Sequence, residues 1–378
     1  MIFALTQWIA DASGLELDAA IAAVEPKVIE WRRDIHQHPE LSNREFRTAA
    51  LVAEHLRGLG MQVKTEVAHT GVIGTLVGKL PGPVVALRAD MDALPVVEQT
   101  GLSFASTVVT QYNGEEVGVM HACGHDAHVA ILMGAAEVLA ANRDQLAGTI
   151  KFFFQPAEEG APAGEEGGAK LMVKEGVLEG PDAPEVIFGL HVFPLETGSI
   201  YYRARGTLAA ADWLTIKVTG RQTHGSLPWL GVDPITVAAQ IITALQTIPS
   251  RQLDITNAPA LVTIGSIHGG VRGNIIPDTV EMSGTIRTFD RNMRDDFHDR
   301  IIRTVENIAE SAGASAEDFA YFQEKIPGLY VGLGVNKQGV PAWESPPNHS
   351  PLFFVNEDAL LVGVRTMVGF ALNYAGSE

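Results

Sequence analysis

The chain contains one dense cluster of metal-binding residue types, Met120-His121-Ala122-Cys123-Gly124-His125-Asp126-Ala127-His128. This stretch holds the only cysteine among the 378 residues and three of the twelve histidines. Thiolate sulfur and imidazole nitrogen together suit zinc and its neighbours among the divalent metals. The apolar residues 129–139 that follow predict a helix, so the cluster lies on a loop that opens a helix. A lone cysteine is usually a small buried hydrophobe, but this density of ligand types predicts a metal site.

Further acids and ligands follow three predicted strands. Residues 84–88, 148–154 and 185–190 are short apolar runs, which is typical of buried parallel strands. They are followed in turn by Asp90 and Asp92, by Glu158 and Glu159, and by His191. Because open α/β sheets place ligands at the carboxyl ends of their strands, we expect these side chains to converge. Glu158 and Glu159 are neighbours and point to one site only if the backbone bends, which Pro156 favours.

Length and charge limit the class of protein. A chain of 378 residues predicts two domains. Its formal net charge of −18 argues against non-specific binding to nucleic acid or to an anionic membrane. No apolar run reaches the ~18–20 residues of a membrane span. The first residues are apolar without a preceding Lys or Arg, which favours a cytoplasmic location, or a periplasmic or secreted one if they are a signal remnant.

The pattern of predicted elements changes after Asp212. Strands are predicted at 213–218, 261–268 and 279–287, with helices at 234–247 and 291–312. This βαββα order predicts a smaller two-layer domain that interrupts the first. The chain then returns through a strand at 328–333 and a helix at 358–374.

Five motifs in order resemble the M20 metallopeptidases, and more narrowly the branch of hippurate hydrolases and indole-3-acetyl-amino-acid hydrolases. The motifs lie at residues 88–95, 121–128, 155–160, 188–191 and 348–351. The resemblance implies an α/β fold in two domains: a mixed-sheet α/β/α catalytic domain (1–209 and 316–378) and an inserted α+β two-layer lid (210–315). It also implies a homodimer formed through the lid. The implied activity is hydrolysis of the amide bond of N-acyl amino acids or small peptides.

The resemblance also implies residue roles and two divalent metal ions per subunit. Cys123 matches the metal-bridging position, and Glu158 matches the general base. The other matching metal ligands are His125, Glu159, His191 and His349. A mixed set of sulfur, nitrogen and oxygen ligands suits Zn²⁺ or Mn²⁺, with Co²⁺ or Ni²⁺ as alternatives.

Other matches concern residues around the metals and in the lid. Asp90 and Asp92 match an acidic pair beside the metals, and Asp92 is assigned to the catalytic set. His224 matches a lid histidine that binds substrate and donates to the oxyanion. Asn274 and Arg287 match the contacts of the substrate carboxylate, for which a guanidinium fork is well suited.

One departure from the family leaves alternatives open. Helix 291–312 is predicted to run through residues 313–316 directly into Glu317-Asp318-Phe319, which matches a motif of the catalytic domain. A few dozen residues that the family has near residue 314 are absent, which predicts an unpaired lid edge and weak or no activity. A third possibility is a hydrolase with Cys123 as nucleophile, sensitive to alkylation but not to chelators.

Overall fold

The computed structural model describes residues 17–112, 114–162, 164–202, 210–319 and 328–376. These residues fall into two compact units, one within Met1–Tyr202 and Lys325–Glu378, the other within Arg203–Glu324. No helix in the described ranges has the length and hydropathy that a membrane-spanning helix needs.

The second unit is inserted in the sequence between two segments of the first unit. The first unit begins with α1 (Leu17–Gln37), α2 (Phe46–Gly58), β1 (Gln62–Val67), β2 (Gly71–Val77), β3 (Leu80–Asp90), β4 (Val109–Tyr112), β5 (Glu115–Gly118), α3 (His125–Ala141), β6 (Ala147–Gln155), α4 (Gly168–Lys174), β7 (Val186–Phe193) and β8 (Ile200–Tyr201). The second unit contains β9 (Ala210–Thr219), β10 (Thr223–His224), α5 (Pro234–Arg251), β11 (Ala260–Gly269), β12 (Ile275–Ile276), β13 (Thr279–Thr288), α6 (Arg291–Ser311) and β14 (Ser315–Phe319). The chain ends in the first unit with β15 (Gly328–Gly334) and α7 (Leu360–Ala375).

The first unit is built on a mixed sheet with strand order β1-β2-β6-β3-β7-β15-β8. The four strands β6, β3, β7 and β15 are parallel neighbours, as the apolar runs predicted for the first three. Helices α1, α3 and α7 share one hydrophobic core with the sheet, including Val28, Ile131, Phe152 and Val364. Helix α3 is buried along nearly its whole length, as expected for a helix that is apolar on every side. The parallel strands therefore deliver their carboxyl ends to one edge.

The second unit has two layers. Its antiparallel sheet has the order β11-β13-β9-β14, and its core joins strand β9 to helices α5 and α6. The core includes Leu214, Ile216, Leu245, Phe297 and Ile301. The α+β two-layer prediction is confirmed.

The predicted connection after α6 is wrong. Residues Ser315 to Phe319 form β14 and pair antiparallel with β9, from Ser315 opposite Thr219 to Phe319 opposite Thr215. Gly313 has φ +72°, and Ala314 N–H donates to Ala309 O at 2.9 Å, which is a helix-ending turn that reverses the chain. A motif match had assigned Glu317-Asp318-Phe319 to the catalytic domain, but this turn directs them onto the lid sheet. The lid edge that was predicted to lack its final strand is therefore covered by β14 on β9, and the predicted domain boundary at 315 falls inside a strand.

Candidate metal centre and active site

The centre of the site is the loop before α3. Gly124 adopts φ +91°, and a Cβ there would lie 2.3 Å from Val192 Cγ2, so only glycine fits between Cys123 and His125. Cys123 is buried with its sulfur 3.4 Å from His191 Nε2. This turn presents Cys123 and His125 to the carboxyl end of β7, so the cysteine loop meets one of the three predicted strand-end groups here, that of His191.

The five predicted metal ligands come together in two groups of three that share Cys123. One group is Cys123, His125 and His191; the other is Cys123, Glu159 and His349. Their ligand atoms lie within 4.8 Å of one another in each group. His349 Nε2 is 3.1 Å from Glu159 Oε1, which in turn is 3.9 Å from His125 Nε2.

One observation that does not depend on the motif indicates that these ligand side chains suit a pair of metal ions. His125 Nε2 is buried without a hydrogen-bond partner among the described residues. Such an orphaned atom is costly unless something binds it. Hydrogen bonds with Cys123 and Glu159 raise the pKa of His349 to about 10, which reflects the excess of negative ligands that a divalent cation would neutralise.

Backbone carbonyls orient the two buried imidazoles. His125 Nδ1 donates to Asp92 O at 2.8 Å, and His191 Nδ1 donates to Val192 O at 2.8 Å. Each ring therefore turns its Nε2 lone pair toward the ligand cluster. This second contact is typical of histidines that bind metals.

His128, the last histidine of the dense stretch, forms hydrogen bonds through both ring nitrogens to residues outside the predicted ligand set. Its Nδ1 donates to Asp90 Oδ1 at 2.5 Å, and its Nε2 accepts from Val192 N–H at 2.9 Å. Asp90 also pairs with Arg88 through its other oxygen. Asp90, His125 and His128 form a third close group. Because Asp90 and His128 are already hydrogen-bonded to each other, to Arg88 and to Val192, we expect these two residues to stabilise the surroundings of the site and not to bind metal.

Asp92 holds the loop that carries the two glutamates. Its two carboxylate oxygens accept from Glu158 N–H and Glu159 N–H, each at 3.0 Å. Burial raises the pKa of Asp92, but the contacts with His125, Ser42 and the Glu159 N–H together outweigh it, so the pKa of Asp92 is lowered. The backbone bends at Ala157, with φ +47°, which follows Pro156 and directly precedes the two glutamates.

Glu158 lies at the mouth of the cluster. Its side chain is 36% exposed, and Oε2 is 3.8 Å from His125 Nε2. Burial is the main cause that raises the pKa of Glu158, and the carboxylates of Asp90 and Glu159 add to it, whereas His125 and Arg88 oppose it. A carboxylate with a raised pKa that faces a cluster of ligands is suited to proton transfer.

The predicted lid residues lie in the second unit, and only two of them are neighbours. His224 on β10 pairs with Ile275 on β12, and Gly225 N–H donates to Asn274 O at 2.9 Å. Arg287 lies near the far end of β13, about 27 Å beyond Thr279 at ~3.4 Å per residue. His224 and Asn274 thus share one end of the lid sheet, and Arg287 lies at the other. One small substrate carboxylate cannot contact both Asn274 and Arg287 of the same chain.

Sequence reasoning missed several residues that complete the site. Asn348 Nδ2 donates to Cys123 O and Val192 O, each at 3.1 Å, and so joins the cysteine loop to β7. Ser42 Oγ donates to Asp92 at 2.8 Å, and Glu45 accepts from Ala157 N–H at 2.8 Å. Asn348 adjoins a predicted ligand and could have been found, whereas Ser42 and Glu45 lie between two helices without a local pattern.

Comparison with known proteins gives consistent matches. A family model described as peptidase family M20/M25/M40 matches residues 86–373. Thermostable carboxypeptidase 1 of Saccharolobus solfataricus is 38% identical over 398 residues, covering 94% of this chain and 97% of that protein. N-acyl-L-amino acid amidohydrolase of Geobacillus stearothermophilus is 40% identical over 310 residues, covering 81% of this chain and 80% of that protein. A solved Bacillus subtilis structure is described as a dinuclear metal binding peptidase from the M20 family. It is 32% identical with a TM-score of 0.74, and the match covers 94% of this chain and 100% of that chain.

The alignment lengths bear on the missing segment. An alignment of 398 residues is longer than the 378-residue chain. The archaeal carboxypeptidase therefore contains stretches that this chain lacks.

Proposed function

Because the chain belongs to peptidase family M20/M25/M40 and is a metal-dependent hydrolase of amide bonds, we propose that it hydrolyses N-acyl amino acids to a carboxylic acid and an amino acid. One observation carries the proposal: five ligand side chains and Glu158 converge at one sheet edge, with Cys123 common to both groups of three. The relative named N-acyl-L-amino acid amidohydrolase supports this substrate class. Small peptides with a similar amide bond are the second candidate, supported by the relative named carboxypeptidase.

Two divalent ions are proposed at the cluster. Cys123, His125 and His191 would hold one, and Cys123, Glu159 and His349 the other. Zn²⁺ and Mn²⁺ suit this ligand set, as do Co²⁺ and Ni²⁺. When bound, the metals supply Lewis acidity that polarises the amide carbonyl and lowers the pKa of water.

Glu158 is proposed as the general base. Its carboxylate takes a proton from the attacking water and passes it to the amide nitrogen, which then leaves as an amine. Asp92 fixes Glu158 N–H and Glu159 N–H with one carboxylate. We therefore assign Asp92 a positioning role in the catalytic set and not direct contact with substrate.

His224 is proposed as the lid donor to the carbonyl oxygen. Ser226 N–H donates to His224 Nδ1 at 3.1 Å, so Nδ1 of this exposed ring must act as an acceptor. The neutral imidazole then carries its proton on Nε2. This tautomer makes Nε2 the hydrogen-bond donor that a developing oxyanion requires.

We also propose that the lid joins two copies of the chain. In the described part of the lid, β11 is one of the two edge strands of the sheet and pairs only with β13. It exposes Leu261 at 48% and Ile267 at 47%. Exposed edges with apolar side chains favour pairing with another strand. In a homodimer, Asn274 and Arg287 could meet one substrate carboxylate only if each came from a different chain.

The requirement for a substrate carboxylate gives the first test. We expect N-benzoylglycine to be cleaved with a kcat/KM about 10- to 100-fold higher than N-benzoylglycinamide, since the amide cannot form the charge-assisted contact with Arg287. Release of the free amino acid or its amide from each compound is the measurement. In Arg287→Ala the two rates should approach each other. Equal rates in the unmodified protein would remove Arg287 and Asn274 from the substrate site.

A further inference from the structure

Four consecutive residues between α1 and α2 contact the loop that carries the glutamates or the carboxylate that holds it. We infer that this clamp segment, Ser42-Asn43-Arg44-Glu45, positions Glu158 and Glu159 for catalysis, with Glu45 as its principal positioning residue. The inference rests on the proposed role of Glu158. It adds a positioning element that touches neither the metal ligands' side chains nor the substrate.

Glu45 holds the bend before the two glutamates. Its side chain is fully buried, and Oε1 accepts from Ala157 N–H at 2.8 Å. The other oxygen accepts from Thr70 Oγ. Ala157 has φ +47°, a conformation that is unfavourable for a side-chain-bearing residue and persists only when its surroundings impose it. Glu45 supplies that constraint from the interior.

Two buried carboxylates fix three successive N–H groups of this loop. Glu45 accepts from Ala157, and Asp92 accepts from Glu158 and Glu159. Ser42 donates to Asp92 Oδ2 at 2.8 Å, so both carboxylates are tied to the clamp segment. The backbone that carries the base and one metal ligand is held at every N–H group from Ala157 to Glu159.

The middle residues of the clamp segment hold the continuation of the same loop. Asn43 Nδ2 donates to Glu165 Oε2 and Glu166 O, each at 3.1 Å. Arg44 forms an ion pair with Glu165. These outer bonds are more exposed and contribute less than the buried bond of Glu45. Substitutions at Glu45 therefore test the inference most directly.

Glu45→Ala and Glu45→Gln separate positioning from charge. The glutamine oxygen still accepts from Ala157, and its amide can donate to the Thr70 hydroxyl, so it resembles the neutral acid. Burial, with a smaller effect of Asp92, raises the pKa of Glu45 to about 7, which makes a neutral form accessible to the fold. We expect Glu45→Ala to lower kcat about 10- to 100-fold, as misplacement of a catalytic group does. Glu45→Gln should stay within about threefold because it keeps the hydrogen bond.

A double-mutant cycle on N-benzoylglycine with Glu158→Gln provides the decisive readout. If Glu45 acts through Glu158, adding Glu45→Ala to Glu158→Gln should lower kcat by less than about threefold further. Glu185→Ala is the matched control, since it removes a carboxylate bond to a backbone N–H, that of Val84 at 3.3 Å, at the opposite end of the parallel strands from this loop. It should leave kcat unchanged.

Three outcomes would overturn the inference. They are full activity of Glu45→Ala, equal losses in Glu45→Ala and Glu45→Gln, and an additive loss in the cycle with the metal content unchanged, which would indicate a general effect on folding. If Glu45→Ala does not fold, Glu45→Asp carries the same test, because its shorter side chain keeps the charge but cannot span Ala157 and Thr70. If Glu158→Gln alone keeps full turnover, the proposed base is wrong, and that failure is separate from the failure of Glu45.

Discussion

Glu158→Gln is expected to lower kcat by about 10²- to 10⁴-fold, the usual loss when a general base is removed, while the divalent ions remain bound. The amide has nearly the same shape as the carboxylate but cannot accept the proton of the attacking water. Glu158 lies at the mouth of the cluster with a raised pKa, whereas Glu159 Oε1 is buried and points at His349. The measurements are kcat on N-benzoylglycine and metal content by elemental analysis.

Glu159→Gln is the matched comparison. We expect it to lose bound metal, because Glu159 belongs to one of the two ligand groups. If Glu158→Gln released as much metal as Glu159→Gln, the two roles would have to be exchanged.

Cys123→Ala is expected to lose both ions and to lower kcat/KM by more than about 100-fold, since even outer contacts of a metal site are worth 10- to 100-fold. Cys123 is common to both groups of ligands, so its removal affects both at once. Metal content and hydrolysis should therefore fall together in this variant.

Cys123→Asp distinguishes this account from a cysteine nucleophile. A carboxylate has two oxygens and can bridge two cations, so this variant should regain part of the metal and part of the activity. A thiol mechanism, for which the contact of Cys123 with His191 offers a base, predicts no rescue by aspartate. It also predicts inactivation by alkylation in the absence of any metal.

The meeting of Cys123, Glu159 and His191 could be predicted from local patterns, whereas the ligand roles and the place of His349 came from the resemblance to the M20 family. Buried parallel strands are short apolar runs, and their carboxyl ends meet by the rules of the sheet, so His191 and Glu159 could be placed beside Cys123. The same runs predicted the parallel strands, and the βαββα order predicted the two-layer lid, whereas the full fold class came from the family resemblance.

Contacts between distant segments could not be predicted in this way. Nothing in the sequence indicates that Ser42 bonds Asp92, 50 residues away, or that Glu45 bonds Ala157, 112 residues away. The strand Ser315–Phe319 was misassigned because a motif match carried no information about the turn at Gly313. The separation of Asn274 from Arg287 depends on strand length and register, which become evident only when the sheet is built.

The central claim is most directly tested by titrating chelator-treated, metal-free protein with Zn²⁺ or Mn²⁺ and measuring hydrolysis of N-benzoylglycine at each addition. The account predicts no hydrolysis without metal, and activity that rises to a plateau near two ions per chain. Full activity in protein shown by elemental analysis to be free of metal would contradict it.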